Sequence, residues 1–276
     1  MSVELIAEIG ASHGGDVERA LRLAEACANA GASVIKAQVG LRNLAADTSP
    51  LHATLVANDL SLETWERVAK ECRNLGVEFS ASIWDEDSAA WLASIKAPWI
   101  KIGSGDATWE PTLNAASMTG LPVYLSTGAC TETEVRHAIG ILGKNLGCLL
   151  ACTMCYPARP EDAHLSRLTK LRALVDRVPV GYSCHVRDWS VCLRAAQRGA
   201  SVIEVHVALE EAEAEAQGGF IPVELEQLAA HLLHGSDVPE ANRRIFDGPG
   251  VELGVLPCEE PWVKLARRDP ATGRRA

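Results

Sequence analysis

Residues 202–207 read Val-Ile-Glu-Val-His-Val and residues 181–185 read Gly-Tyr-Ser-Cys-His. Each is an apolar run of the kind that fills a strand buried on both faces, and each carries a histidine near its end. Similar runs recur at 4–10, 33–39, 77–82, 99–103, 122–127 and 147–152, with 179–185 and 201–207 completing eight. Amphipathic segments separate them. Eight strand-helix units in series predict a (β/α)8 TIM barrel, in which the C-terminal ends of all strands share one rim. His185 and His206 are then expected to meet there and grip a divalent metal.

The joints between units support the same reading. Gly-Ala-Ser-Val-Ile occurs at both 31–35 and 199–203, where glycine closes a helix and the following residues open a buried strand. Asp16, Ser61 and Thr131 are placed to start helices, and Glu134 lies at the capping-box distance from Thr131. A doubly wound sheet is the rival fold, but its first βα turn needs a GxGxxG loop. Gly10-Ala-Ser-His-Gly-Gly15 does not supply one.

The chain has 276 residues, 47% of them hydrophobic, which suits one large α/β domain. We place the barrel at 1–235 and a C-terminal tail at 236–276 with no second domain. In the tail periodicity fades, and Pro239, Pro249, Pro257 and Pro261 suggest a mostly extended end that wraps the barrel or meets a partner. A net charge of −10 argues against a nucleic-acid groove, and the basic run at 266–275 reads as solvated. With no signal-like start and no apolar window of roughly 18 residues, a soluble, cytoplasmic protein away from membranes is expected. Nine cysteines, an odd number, fit packed thiols in a reducing compartment; Cys152-Thr-Met-Cys155 has no second pair to complete a zinc site.

Side chains two apart on a strand share a face. Lys36 with Gln38, Ser183 with His185, and Glu204 with His206 are polar pairs in that register, and inside a hydrocarbon core each would need its own partner. A polar pocket at the barrel mouth accounts for all three. Adding Glu8, Ser82, Lys101, Ser104 and Ser126 gives a mouth rich in lysine and small hydroxyls, suited to a phosphate or carboxylate. His13, in the first βα loop, either touches a substrate or caps a turn. His52, His137, His164, His231 and His234 fall in loops or outer helices and read as surface residues.

Seven motifs in order resemble the sialic acid synthase family, which includes the N-acetylneuraminate, legionaminate and pseudaminate synthases. They are Ala-Glu-Ile-Gly with Ser-His-Gly-Gly-Asp (7–16), Ile-Lys-Ala-Gln (35–38), Lys-Ile-Gly-Ser-Gly-Asp (101–106), Leu-Ser-Thr-Gly (125–128), Cys-Thr-Met-Cys-Tyr-Pro (152–157), Gly-Tyr-Ser-Cys-His (181–185) and Ile-Glu-Val-His (203–206). The resemblance implies a barrel enzyme that condenses phosphoenolpyruvate with a sugar-like aldehyde to give a 2-keto acid and phosphate. It implies Mn²⁺ or Mg²⁺ on His185 and His206, and Glu8 beside the metal as a base. Lys36, Ser82, Lys101, Ser104, Ser126, Tyr156 and Ser183 are implied to hold phosphoenolpyruvate, with Gln38 on the sugar side. A homodimer is implied as well.

Departures gather on the acceptor side: Cys184 and Val205 replace the family's acid and lysine, and 213–219 lacks the family's Gly-Pro-Asp-His loop, while Met154 replaces a small polar residue common near the phosphate. The family's antifreeze-like domain is expected to be absent after Arg267 and Arg268. An altered acceptor is therefore expected. An aldolase or lyase acting on a keto acid, and a non-catalytic partner subunit, are the alternatives. Strand alternation points Cys184 outward; were the loop to turn there, its thiolate would become a third ligand favouring Zn²⁺ or Fe²⁺.

Overall fold

The computed structural model describes residues 3–44, 49 and 52–268. Eight parallel strands close into a barrel in chain order: β1 (Glu4–Gly10), β2 (Val34–Gln38), β3 (Glu78–Ser82), β4 (Ile100–Ile102), β5 (Val123–Ser126), β6 (Leu146–Cys152), β7 (Val180–Cys184) and β8 (Val202–His206). Every expected strand is present, and β1 closes the ring against β8 with Glu8 level with His206. Helices follow the strands and form the outer layer. Asp16, Ser61 and Thr131 are their caps: Asp16 accepts from the Glu18 and Arg19 amides, Ser61 from Thr64, and Thr131 completes its capping box with Glu134.

Alternation along the strands sorts side chains into two environments. Outward residues such as Ile9, Ile35, Leu125, Tyr182 and Val205 pack against the helices in the main apolar core. Inward residues at the lower end, Ile6, Val34, Trp99, Cys148, Leu150 and Val202, fill the barrel as a second, smaller cluster. Glu4 closes that floor. Its carboxylate accepts from Trp99 Nε1 at 3.2 Å and from Tyr124 OH at 3.1 Å, while the two rings stack 4.5 Å apart. Above this floor the inward positions turn polar, so the hydrocarbon plug forms the base of a cup.

The C-terminal segment corrects the expectation of an extended end. It contains helices Glu240–Asp247 and Glu260–Ala266, with a 3-10 turn at Pro257–Glu259. Pro239 caps the first helix, and Pro257 and Pro261 sit in the opening turns of the turn and the second helix. Proline is tolerated there because those amides have no intrahelical partner. The prolines that resembled breaks in the sequence therefore mark starts.

The segment lies across the barrel mouth. Glu259, fully buried, accepts from the backbone amides of Ala129 and Met154 at 2.9 and 2.8 Å. At the far end, Arg268 donates to Asp106 and to the carbonyls of Asn43 and Trp84.

Gly181 shows how tightly the cup is built. A Cβ there would come within 2.6 Å of Leu150 Cδ2 and of the Val202 carbonyl oxygen. Gly181→Ala is expected to destabilise the barrel by about 1–3 kcal/mol through overpacking, read from the shift in the urea unfolding midpoint.

Candidate active site

The polar upper layer centres on four buried charges from different strands. Glu8 and Lys36 form an ion pair across β1 and β2, with the two residues directly opposite in register. Lys36 Nζ also donates to Ser82 Oγ at 2.9 Å and lies 3.6 Å from Glu204 Oε1. That same Glu204 oxygen accepts from Lys101 Nζ and from Ser183 Oγ, both at 2.9 Å. Burial alone would raise the Glu204 carboxyl, but Lys101 and Lys36 outweigh it and hold the group at about 2. Burial drives the Lys36 ammonium down towards about 7, with Glu204 pulling the other way.

Several polar atoms in this layer lack protein partners. Ser126 Oγ, Glu8 Oε1, Glu204 Oε2 and His206 Nδ1 are buried without a hydrogen bond. Such groups normally find a partner, so four of them around one cavity mark a surface shaped for something other than protein. Ser104 is engaged, its hydroxyl accepting from the Gly128 amide at 2.9 Å.

His185 and His206 stand side by side at the ends of β7 and β8, ring centres 5.3 Å apart. His185 Nδ1 donates to the Thr153 carbonyl at 2.7 Å, which leaves Nε2 as the free lone pair. Burial lowers both imidazoles, His185 to about 4, so both are neutral around pH 7. Glu8 Oε1 and His206 Nδ1 lie within 3.3 and 3.6 Å of the point a Cβ on Gly10 would occupy. Among the described residues no three His, Cys, Asp or Glu side chains form a preformed ligand cluster. Tyr156 packs its ring 4.0 Å from that of His185, and the Trp262 ring covers Tyr156 at 4.9 Å.

These groups line a cavity of about 550 Å³, within the range usual for small-molecule sites. Lys36, Gln38, Ser82, Lys101, Ser104, Ser126, Tyr156, Ser183, His185 and His206 all face it, and Glu8 lies just behind, against Lys36. The structure thus brings every candidate residue to one mouth.

It also adds links and groups that were not among the expected site residues. Glu204 joins both lysines, Cys152 lines the cavity with Sγ 3.9 Å from His185 Nδ1, and Ser12 and Gln217 bond to one another on the opposite side. Gly218 and Gly219 are a further case: a Cβ on Gly218 would lie 1.8 Å from the His185 carbonyl oxygen, and one on Gly219 2.6 Å from that of His206. The loop can press against both histidine-bearing strand ends only because these two residues lack side chains. A Gly-Gly pair one short helix after the last strand was the available signal.

Two open readings resolve. Cys184 packs outward in the apolar core, its thiol 3.5 Å from the Val186 carbonyl, so it is not a third ligand. All nine cysteines are free, and seven are buried. His13 does not line the cavity; it is fully buried, accepts from the Gly15 amide through Nδ1 at 3.1 Å, and meets Trp65 edge-on. It therefore caps the turn. The other five histidines lie away from the mouth, with His137 on Glu110 and His231 stacked on Trp189. Among the described residues no helix is long and apolar enough to cross a membrane.

Burial lowers His13 to about 4, below the ordinary 6.5, and the neutral ring is the form that accepts from Gly15. On acidification the unfolded chain protonates first. Stability that is whole above pH 6.5 is then lost as pH falls towards 4, with His13 contributing on the order of 2 kcal/mol by pH 4.5. Urea midpoints across that window should fall more steeply for the native chain than for His13→Gln.

The NeuB family model matches residues 23–233, well over half the chain. The N-acetylneuraminate-9-phosphate synthase of Drosophila melanogaster is 29% identical, over 94% of this chain and 79% of that protein. The N,N'-diacetyllegionaminic acid synthase of Legionella pneumophila is 33% identical over 76% of this chain and 65% of its own. Among solved structures, a sialic acid synthetase from Leptospira borgpetersenii, in complex with citrate, superposes with a TM-score of 0.78 at 27% identity, covering 95% of this chain and 90% of that one.

Proposed function

The chain belongs to the NeuB family of sugar-acid synthases and is a carbon-carbon bond-forming enzyme of carbohydrate biosynthesis; on that premise we propose that it condenses phosphoenolpyruvate with an uncommon sugar-like aldehyde, giving a 2-keto acid and phosphate. The observation that carries this reading is the charge layer at the mouth. Its two ammonium groups and two carboxylates, when all ionised, cancel. A ligand bearing several negative charges then needs a further cation beside it, and the two neutral histidines are where one would bind.

The donor set fits a divalent ion. One imidazole is oriented by a carbonyl, the other has an orphaned nitrogen, and their separation is close to the about 5 Å spanned by two imidazoles on one ion with bonds of about 2.1 Å. An ion held by His185 and His206, Mn²⁺ or Mg²⁺ in this reading, supplies Lewis-acid polarisation of the aldehyde. Cys184's outward position removes the argument for Zn²⁺ or Fe²⁺ built on its thiolate.

The chain's own residues divide the remaining work. Lys36, Lys101, Ser82, Ser104, Ser126 and Ser183 hold the phosphate and carboxylate of phosphoenolpyruvate, with Tyr156 closing over them. The C3 carbon bonds to the aldehyde carbon, whose oxygen takes up a proton to become a hydroxyl, while water adds at C2. Glu8, whose Oε1 has no other partner, takes the proton from that water. Collapse of the adduct at C2 expels phosphate and leaves the ketone. Gln38 faces the acceptor. The altered acceptor side rests on the 213–219 stretch, whose Glu213, Ala216 and Gln217 line the cavity.

Coupled release of inorganic phosphate from phosphoenolpyruvate, Mn²⁺ and a panel of aldehydes tests the reaction. His185→Ala should lose turnover to background. Ser126→Ala is the sharper probe, because Ser126 Oγ makes no bond within the protein. Its loss should raise KM for phosphoenolpyruvate about tenfold with the melting temperature unchanged. An unchanged KM would remove Ser126 from the donor site.

A further inference from the structure

The outer half of the cavity is built differently from the charged floor. Lys36 and Lys101 are the only basic side chains along the described wall, and both are committed to Glu204 at the floor. Towards solvent the wall is Leu44, Leu55 and Trp84 on the barrel side, with Trp262 and Leu265 from the C-terminal helix. Its polar members include the mutually bonded Ser12 and Gln217, together with Gln38 and two acids already paired with arginines, Glu213 with Arg19 and Asp106 with Arg268.

Both ends of the strap that carries Trp262 and Leu265 are fixed. Before the helix, Glu259 is fully buried and its carboxylate accepts from three backbone amides, those of Ala129, Met154 and Leu256. After it, the Arg268 amide donates to the Gly105 carbonyl, and the guanidinium is held by Asp106 and two carbonyls. Between these anchors Trp262 meets Tyr156, whose own ring lies on His185. The strap therefore runs from the metal-side histidine to the β2–β4 loops. It is a wall of the cavity, held by the barrel it covers.

We infer that the helix Glu260–Ala266 is the acceptor-side wall of this enzyme, and that Trp262 and Leu265 make it select an uncharged aldehyde whose carbons distal to the aldehyde are apolar. The inference rests on the condensation reading above. A phosphorylated acceptor would place a dianion against leucine and tryptophan with Glu213 nearby and no free cation among the described residues, a desolvation cost without compensation. An apolar end instead buries hydrocarbon against those same side chains. Trp262 is a specificity-determining residue in this arrangement.

The experiment uses the full chain with Mn²⁺, phosphoenolpyruvate and three acceptors: 6-deoxymannose, N-acetylmannosamine and N-acetylmannosamine 6-phosphate. Phosphate release gives kcat and KM for each substrate, and protection by phosphoenolpyruvate against thermal unfolding is measured separately without aldehyde. The native chain should prefer the two uncharged acceptors, with 6-deoxymannose first. Trp262→Ala should raise KM for the acceptor about tenfold while KM for phosphoenolpyruvate stays within about twofold. Leu265→Arg should shift kcat/KM about tenfold towards the phosphorylated acceptor.

Preference of the native chain for the phosphorylated acceptor, or equal movement of both KM values in Trp262→Ala, would overturn the inference and leave the condensation reading standing. Absence of phosphate release with all three acceptors, or of protection by phosphoenolpyruvate, would overturn the condensation reading itself and this inference with it. Leu265→Ala serves as the second variant if Leu265→Arg fails to fold, with a rise in acceptor KM expected and no change counting against the wall.

Discussion

Glu8, Lys36, Glu204 and Lys101 are four charges buried inside a barrel, and the rest of the mouth is arranged so that none of them stands alone. Removing charges from water is costly, and a buried pair seldom stabilises a fold more than well-packed hydrocarbon of the same volume would. Breaking one is another matter, at about 3–5 kcal/mol for an uncompensated partner. A network of this kind is a weak stabiliser and a demanding one. Its value lies in what it can receive, since donors and acceptors already desolvated and fixed need little reorganisation when a charged ligand arrives.

The barrel supplies the conditions for that layer. Strand alternation sends every second side chain inward, the Trp99 and Tyr124 floor seals the lower end, and parallel register sets Glu8 level with both Lys36 and His206. Ser183 lies beside Glu204 in the same way, and Ser82 beside Lys101. The loops then complete the site by close approach. The Thr153 carbonyl aims His185, and Gly218 and Gly219 allow the last loop to rest on both histidine-bearing strand ends. Function is carried at the rim and rigidity is supplied by the floor.

Much of this was legible in the sequence because it depends on periods. Strands were found to within a residue or two, since β-branched runs and helix caps are local signals, and Lys36 with Gln38 or Glu204 with His206 fall two apart in any strand. What was not legible depends on contacts between distant segments. Nothing near Glu204 announces that two lysines from other strands will share one of its oxygens. His13 is ambiguous alone and becomes a turn cap only beside Gly15 and Trp65. The C-terminal segment misled for a specific reason: prolines that open short helices look like breaks when the anchors, Ala129, Met154 and Asp106, lie more than a hundred residues away.

Membership of the NeuB family is consistent with a mouth whose polar candidate residues share one cavity, with Glu8 just behind it. The central claim is that the charge-compensated layer, completed by a divalent ion, is an anion receptor. Titration calorimetry of phosphoenolpyruvate into the protein with Mn²⁺ present tests it most directly. Saturable binding of one molecule per chain, weaker when Mn²⁺ is withheld and weaker again for pyruvate, is the predicted result; a flat titration, or binding indifferent to both the ion and the phosphate, would contradict it.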